Sequence, residues 1–448
     1  MWRCGDVELD LGRARVMGVL NVTPDSFSDG GLHACLEDAV ACGLAMLDQG
    51  ADVVDVGGES TRPGFDPVSP AEEAARVVPV VRELARAGAL VSVDTRHADV
   101  ALAALDAGAR VVNDVSGFSD PAMRAVAAGC GCGCVAMHAG PGSLGDGVPG
   151  GAPMPQDDGD FVAYLENDLL ARAARLEAAG VAPERICVDP GPGFGTSAGQ
   201  DVAAQRATGR LARLGYPLMC AVSRKRFVGA VSGVRVSRGR DAATLGAVVA
   251  AVARGARVVR VHDVAGAAEA VRTAESCVEG LAPVRRAYVA MGANLGDRLA
   301  AMRAAVESVA RLPLTRVVAA SRVYETEPAY LDGQPAFANA VLEVETGMHP
   351  VALLEALLGI EDAAGRVRTV ANGPRCLDLD LLWMERERHA GRRLSLPHPR
   401  MGERWFVLRP LGDLVGDAAA FCRAQGLGVA CEDEMVGTVT GDLGELLL

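Results

Sequence analysis

The feature that most constrains this chain is an alternation repeated through its first 280 or so residues: a short apolar run, a polar cluster, then an Ala-rich stretch with helical spacing. The run VMGVL at 16–20 shows no inside–outside alternation, which suits a strand covered on both faces. Strands of this kind are expected at 15–20, 52–57, 90–94, 110–114, 133–137, 185–189, 217–222 and 256–261. Helical spacing fits 34–49, 70–87, 97–107, 121–129, 160–180, 200–214, 240–254 and 263–279. That order and length predict an α/β fold, a (β/α)8 TIM barrel. An open doubly wound sheet is the alternative, but no Gly-x-Gly-x-x-Gly follows the first strand.

In a barrel of this type, chemistry collects where the strands end. The residues there are Asn21; Thr61 and Arg62; Asp94; Asn113 and Asp114; Met137 and His138; Asp189; Ser223 and Lys225; Arg260 and His262. Asp and Asn also end strands as turn formers and caps, so each alone says little. Together they place a polar set on one rim. Lys225 is sharper: among 44 basic residues it is the single lysine, held between two arginines in SRKRF. An ammonium is a compact point charge on a slim stem, where a guanidinium is broad and planar.

Two chemistries are legible in the set. Asp94, Asn113 and Asp189 with Lys225 can read the edge of a flat heterocycle, because a carboxylate accepts two parallel N–H bonds. Arg62, Arg260 and His262 suit a di- or triphosphate, with the Asn21 amide as a candidate metal ligand.

Composition narrows the classes. The 448 residues call for more than one core, and 50% apolar content is ample for packing. No apolar segment is long enough to span a membrane, and the start MWRCGDVELDLGR carries acids where a signal peptide is basic and apolar. The expectation is a soluble cytoplasmic protein without a membrane partner. The net charge of -13 disfavours nucleic acid, and the run RERHAGRR at 386–393 reads as a solvated hairpin or loop. Twelve cysteines without a secretory signal read as reduced thiols. Cys130, Cys132 and Cys134 in GCGCGC share one face if the segment is a strand, but lack C-x-x-C spacing, so packing is favoured over zinc.

The stretch CVEGLAPVRR at 277–286 separates two patterned regions, giving domains 1–282 and 283–448. In the second, a strand, turn and helix from 288 to about 312 precede strands at 315–325 and 337–346, a helix at 350–364, and strands near 377–384 and 392–396. This order suggests a smaller α+β domain of ferredoxin-like type. In GPRCLDLDLL, Asp378 and Asp380 lie two apart on a strand and so share a face, where they could hold one or two Mg2+ ions. Arg366, Arg368, Arg375, His398 and Arg404 supply positive charge for a nucleotide triphosphate, without a Walker A loop.

VMGVLNVTPDSFSDGG, GADVVDVGGESTRPG, VSVDTR, VVNDVSG, VDPGPGFG, SRKRF and VRVHDV resemble dihydropteroate synthase in sequence order over roughly 14–275. GANLGDR, YETEP, QPAFANAV, IEDAAGR, GPRCLDLDLL and LPHPRMGERWFVL resemble 6-hydroxymethyl-7,8-dihydropterin pyrophosphokinase over about 287–412. The resemblances imply adjacent steps of folate biosynthesis: pyrophosphoryl transfer from ATP to the pterin, then condensation with p-aminobenzoate. They imply that Asp94, Asn113, Asp189 and Lys225 hold the pterin in the synthase, and that Asn21 binds magnesium. Thr61, Arg62, Arg260 and His262 would hold phosphate, with Pro63, Phe194 and Ser223 around p-aminobenzoate beneath loops 22–31 and 59–66. In the kinase, Asp378 and Asp380 would hold two magnesium ions, and Glu361, Arg366, Arg375, His398 and Arg404 would contact ATP. Phe337 and Phe406 would sandwich the pterin, with Thr326 and Asn339 on its polar edge. The barrel family usually dimerises, which implies a homodimer.

Two departures stand out. Ala139 and a long Gly/Pro-rich loop over 138–156 replace a Met and a shorter loop, and Asn372 replaces an aromatic residue before Gly-Pro-Arg. The rival readings are a pterin-dependent methyltransferase barrel, which needs no pyrophosphate site, and an inactive pterin-binding paralogue in one half.

Overall fold

The computed structural model describes residues 1–23, 31–59, 68–143, 154–329, 333–366, 373–429 and 438–443. The chain divides into two compact units, Met1–Leu281 and Ala282–Leu448.

The first unit opens on a hairpin, β1 (Trp2–Cys4) and β2 (Val7–Leu9), that the apolar pattern does not announce. Eight parallel strands follow: β3 (Arg15–Asn21), β4 (Val53–Gly57), β5 (Val91–Asp94), β6 (Val111–Asp114), β7 (Gly133–Met137), β8 (Ile186–Asp189), β9 (Met219–Cys220) and β10 (Val258–Val261). They run in the order β8-β7-β6-β5-β4-β3-β10-β9, and a parallel bridge between Val188 and Leu218 joins the two ends into a barrel. Between the strands lie α1 (Gly31–Asp48), α2 (Pro70–Arg86), α3 (Ala98–Ala107), α4 (Pro121–Cys130), α5 (Asp158–Ala178), α6 (Ala198–Arg206), α7 (Thr208–Leu211), α8 (Arg226–Ser232) and α9 (Asp241–Val252); α10 (Val264–Cys277) follows β10.

Strand residues alternate between two cores. Val16, Leu20, Val54, Val56, Val93 and Val112 pack outward on the helices. Met17, Val53, Val111, Val135, Cys187, Met219 and Val258 fill the barrel's lower interior together with Trp2. Trp2 is fully buried and its indole donates to the Arg185 carbonyl at 3.0 Å, so the hairpin closes the end of the barrel away from the polar rim. Two residues further along four of these strands, the same inward face carries Asp55, Asn113, Asp189 and Arg260, because the period is two.

Several expectations need correction. The segment expected as a helix at 200–214 is two helices, α6 and α7, and α8 forms directly after Lys225, where no helix was expected. GCGCGC is not one strand: Cys130 ends α4 and is exposed, whereas Cys132 and Cys134 are buried, so the three thiols share no face.

The second unit is an antiparallel sheet in the order β15-β11-β14-β13-β18, with β12 also on β14. Its elements are β11 (Arg285–Ala293), α11 (Arg298–Ala310), β12 (Thr315–Ala320), β13 (Arg322–Thr326), β14 (Phe337–Thr346), α12 (Pro350–Ala363), β15 (Asp378–Met384), a small hairpin of β16 (His389–Ala390) and β17 (Ser395–Leu396), α13 (Trp405–Val415), α14 (Ala418–Ala424) and β18 (Thr438–Asp442). α11 and α12 cover one face, and α13 and α14 the other. The strand expected over 315–325 breaks at Ser321. There the backbone N–H donates to the Val341 carbonyl, while the hydroxyl accepts the Val341 N–H at 2.9 Å. No described helix is long and apolar enough to cross a membrane.

Candidate functional site

At the C-terminal rim of the barrel, a pocket of about 330 Å³, partly open to solvent, is lined by Asp94, Asn113, Asp189, Lys225, Arg260 and Phe194, with Val115, Met137, Pro192 and Ala221. All four residues expected at a heterocycle edge are present. A lining of charged and amide groups set among apolar side chains suits a small flat ligand with a polar edge.

Strand register explains the convergence. Asn21 pairs with Gly57, Gly57 with Asp94, and Asp94 with Asn113 across β3 to β6. Gly57 leaves the floor bare here: a Cβ on it would lie 3.5 Å from the Asp94 Cβ and 3.7 Å from the Asn21 Oδ1. Lys225 is set by its neighbour. Arg224 adopts a left-handed φ of 58°, held by two hydrogen bonds to Asp241 at 2.6 and 2.8 Å. Such a conformation costs energy and persists only where surroundings enforce it. The Lys225 ammonium then sits 4.2 Å from the centre of the Phe194 ring. The 190–196 loop is fixed by Asp201, which accepts the Gly193 N–H at 2.9 Å and the Thr196 hydroxyl at 2.5 Å. Gly191 is required, since a Cβ there would stand 1.8 Å from the His138 carbonyl oxygen.

The electrostatics are those of charges gathered out of water. Burial pushes Asp94 up to about 7, with Asp55 and Asp114 acting in the same direction against Arg260 and Lys225. Burial also raises Asp189, opposed by the Gly191 N–H and Lys225. Desolvation brings Lys225 down to about 8, against the pull of Asp189. Beside the pocket, Ser223 Oγ accepts the His262 backbone N–H at 3.1 Å and is hydrogen-bonded to the ring Nδ1 at 2.9 Å, which fixes the imidazole.

Sequence reasoning missed Asp55. It is fully buried, and its Oδ2 accepts from Asn113 Nδ2 at 3.0 Å and from Arg260 Nε at 2.6 Å. Arg260 also donates through Nη2 to Asp94 Oδ2 at 2.5 Å. The signal was available, because a lone carboxylate in the middle of VVDVG belongs to no turn or cap. Ala139, the departure from Met, packs against Val115, Met137 and Phe194, three residues of the pocket lining. Thr61, Arg62 and Pro63 lie outside the described residues, as do 24–30, 60–67 and 144–153 of the expected loops.

In the second unit, Asn339, Gly292 and Asp378 face one another across β14, β11 and β15. Asn339 donates to the Thr326 hydroxyl at 2.8 Å. Asp378 is paired with Arg366 and Arg375, and Asp380 with Arg404 at 3.2 Å. Arg375 lies 5.5 Å from the Phe337 ring centre and Arg404 5.8 Å from that of Phe406. Each acid is thus linked through an arginine to one of the expected aromatic walls. Burial raises Asp378, and the nearby Asp380 acts in the same direction. Glu361 stands behind the site, 1% exposed, accepting the Leu379 N–H at 2.7 Å and pairing with Arg366. His398 donates its N–H to the Leu382 carbonyl, and burial lowers its ring pKa. Asn294 was missed: it accepts the Arg375 N–H at 2.7 Å and donates to the Pro335 carbonyl at 3.1 Å, fastening Gly-Pro-Arg to the segment before Phe337. Arg368 and Asn372 lie outside the described residues.

A family model of pterin binding enzymes matches residues 17–262, and one of 7,8-dihydro-6-hydroxymethylpterin-pyrophosphokinase matches 288–416. A dihydropteroate synthase of Mycobacterium leprae is 46% identical over 272 residues, 59% of this chain and 93% of the relative. That of Neisseria meningitidis serogroup C is 40% identical over 280 residues, 62% of this chain and 97% of its own. Among solved structures, the dihydropteroate synthase of Xanthomonas albilineans with 4-aminobenzoic acid superposes with a TM-score of 0.56 at 39% identity, covering 60% of this chain and 95% of that one. The Burkholderia cenocepacia dihydropteroate synthase complexed with 7,8-dihydropteroate gives 0.54 at 40%, covering 61% and 94%.

Proposed function

We propose the workings of both sites from the premise that the chain belongs to the pterin-binding enzymes, among the dihydropteroate synthases, and carries a hydroxymethyl-dihydropterin pyrophosphokinase domain. It is a bifunctional enzyme of folate biosynthesis. The second unit transfers pyrophosphate from ATP to 6-hydroxymethyl-7,8-dihydropterin. The barrel then joins the pterin to p-aminobenzoate, releasing pyrophosphate and forming 7,8-dihydropteroate.

The observation that carries the barrel's part is the single pocket holding Asp94, Asn113, Asp189 and Lys225. The acids and amide bind the donor-rich pterin edge, and Lys225 meets an acceptor on the ring. Arg260 and the Ser223-oriented His262, with Thr61 and Arg62, neutralise the leaving pyrophosphate. Phe194, Pro63 and Ser223 flank the p-aminobenzoate. Asn21, whose amide oxygen faces a floor kept bare by Gly57, would hold magnesium, which when bound adds charge for the departing group.

In the second unit, Asp378 and Asp380 fit magnesium because two carboxylates, a hard oxygen donor set, share one strand face, while the arginines beside them suit the phosphates. These carboxylates would hold it where it would supply positive charge against the triphosphate of bound ATP. Arg366, Arg368, Arg375, His398 and Arg404 bind the phosphates, and Glu361 acts by holding Arg366. Phe337 and Phe406 stack on the pterin, with Thr326 and Asn339 on its edge. The reading assigns 1–282 to the synthase and 283–448 to the kinase, and includes a homodimer through the barrel and a cytoplasmic location.

The test is reciprocal. Lys225→Ala should lower synthase activity at least about 100-fold and leave pyrophosphokinase unchanged, and Asp378→Ala should do the reverse. Retention of the targeted activity in either variant would refute that assignment.

A further inference from the structure

Asp55 is used by nothing in the mechanism above, yet it touches two residues that the mechanism needs. It lies at 0% exposure on the inward face of β4, one layer below Gly57. A carboxylate can only accept, so the Asn113 group turned to it at 3.0 Å must be the NH2 end. The same Oδ2 takes the Arg260 Nε at 2.6 Å, while the far end of that guanidinium takes Asp94 Oδ2 at 2.5 Å. Asp55 Oδ1 is buried without a hydrogen-bond partner among the described residues. Its remaining lone pairs therefore reinforce no other contact.

We propose that Asp55 is a positioning residue of the synthase site, which orients the Asn113 amide and holds Arg260 in a two-carboxylate bridge that leaves Asp94 Oδ1 for the pterin. The proposal rests on reading the pocket as the pterin site. Without the carboxylate, two things follow. The Asn113 amide is free to flip and offer the wrong polarity to the ring edge. Arg260, released at Nε, closes on both oxygens of Asp94 and competes with the pterin for them.

Asp94 faces Arg260 on β10, Asp55 on β4, Asp114 on β6, Lys225 before α8 and Glu73 on α2. Removing the charge at 55 takes away one carboxylate that favours its protonation and strengthens its hold on Arg260. Both effects move Asp94 in the same direction, toward ionisation at lower pH.

The experiment uses the full chain with Asp55→Asn, which keeps the shape but removes the charge that holds Arg260 and puts an amide NH2 in place of one of the two oxygens. kcat/KM for the pyrophosphorylated pterin should fall about 10–100-fold, the range seen when a supporting partner is lost, with KM for p-aminobenzoate little changed. The acid limb of its pH profile should move to lower pH, which a loss of packing alone would not cause. Pyrophosphokinase activity serves as the folding control for the rest of the chain. A variant with unchanged kcat/KM and an unmoved acid limb overturns the proposal. If the variant does not fold, a neutron structure of the wild-type protein decides: Asn113 with its NH2 end on Asp55 supports the proposal, and a flipped amide or an Arg260 elsewhere overturns it. A wild-type barrel that forms no dihydropteroate would instead fault the reading of the pocket.

Discussion

Glu73 on α2 is 1% exposed, beside the Thr95 side chain and with His97 Nε2 4.0 Å away. Burial raises it to about 7, with Glu59 and Asp94 acting in the same direction and Thr95 and Arg96 against. Its carboxyl is protonated more readily in the folded barrel than in the unfolded chain, where it titrates near 4.5. The sign is therefore fixed: the fold is favoured below about 4.5 and loses stability as pH rises through about 7. Glu73→Gln should stabilise the barrel by about 3 kcal/mol at pH 8 and by nearly nothing at pH 4.5. Amide exchange of the barrel strands at the two pH values checks this, and equal gains at both would be contrary evidence. Most of the rim set was legible at this scale because each residue ends an apolar run. Asp55 was not sought because attention to strand ends overlooks the middle of a strand, where period two still carries a side chain inward.

At the scale of elements, long apolar runs read correctly because burial on both faces leaves a continuous pattern. Short pieces did not. β9 is only Met219–Cys220 where 217–222 was expected, and α8 follows Lys225 with seven residues, too few to show a helical period. The hairpin β1–β2 was invisible for another reason: its role depends on tertiary contact, since Trp2 is a plug only once a barrel end exists. Trp2→Ala removes the largest fully buried side chain in the structure and its bond to the Arg185 carbonyl. Barrel stability should fall by about 3–5 kcal/mol. Urea unfolding of the barrel followed by circular dichroism measures it, and a change under about 1 kcal/mol would show that the hairpin does not close the barrel end.

At the scale of the molecule, two units with separate cores carry chemistries that share a pterin intermediate. The barrel supplies a rim on which eight strand ends meet. The antiparallel sheet supplies a face on which Asn339, Gly292 and Asp378 stand in one row. Composition foretold neither site, since strongly acidic overall charge coexists with local arginine clusters on the acids of both. The measurement that tests the account most directly is a coupled assay. Purified full-length protein is given hydroxymethyl-dihydropterin, ATP, Mg2+ and p-aminobenzoate, and AMP and 7,8-dihydropteroate are followed separately. The account predicts both products. AMP without dihydropteroate, even when the pyrophosphorylated pterin is supplied directly, would contradict it.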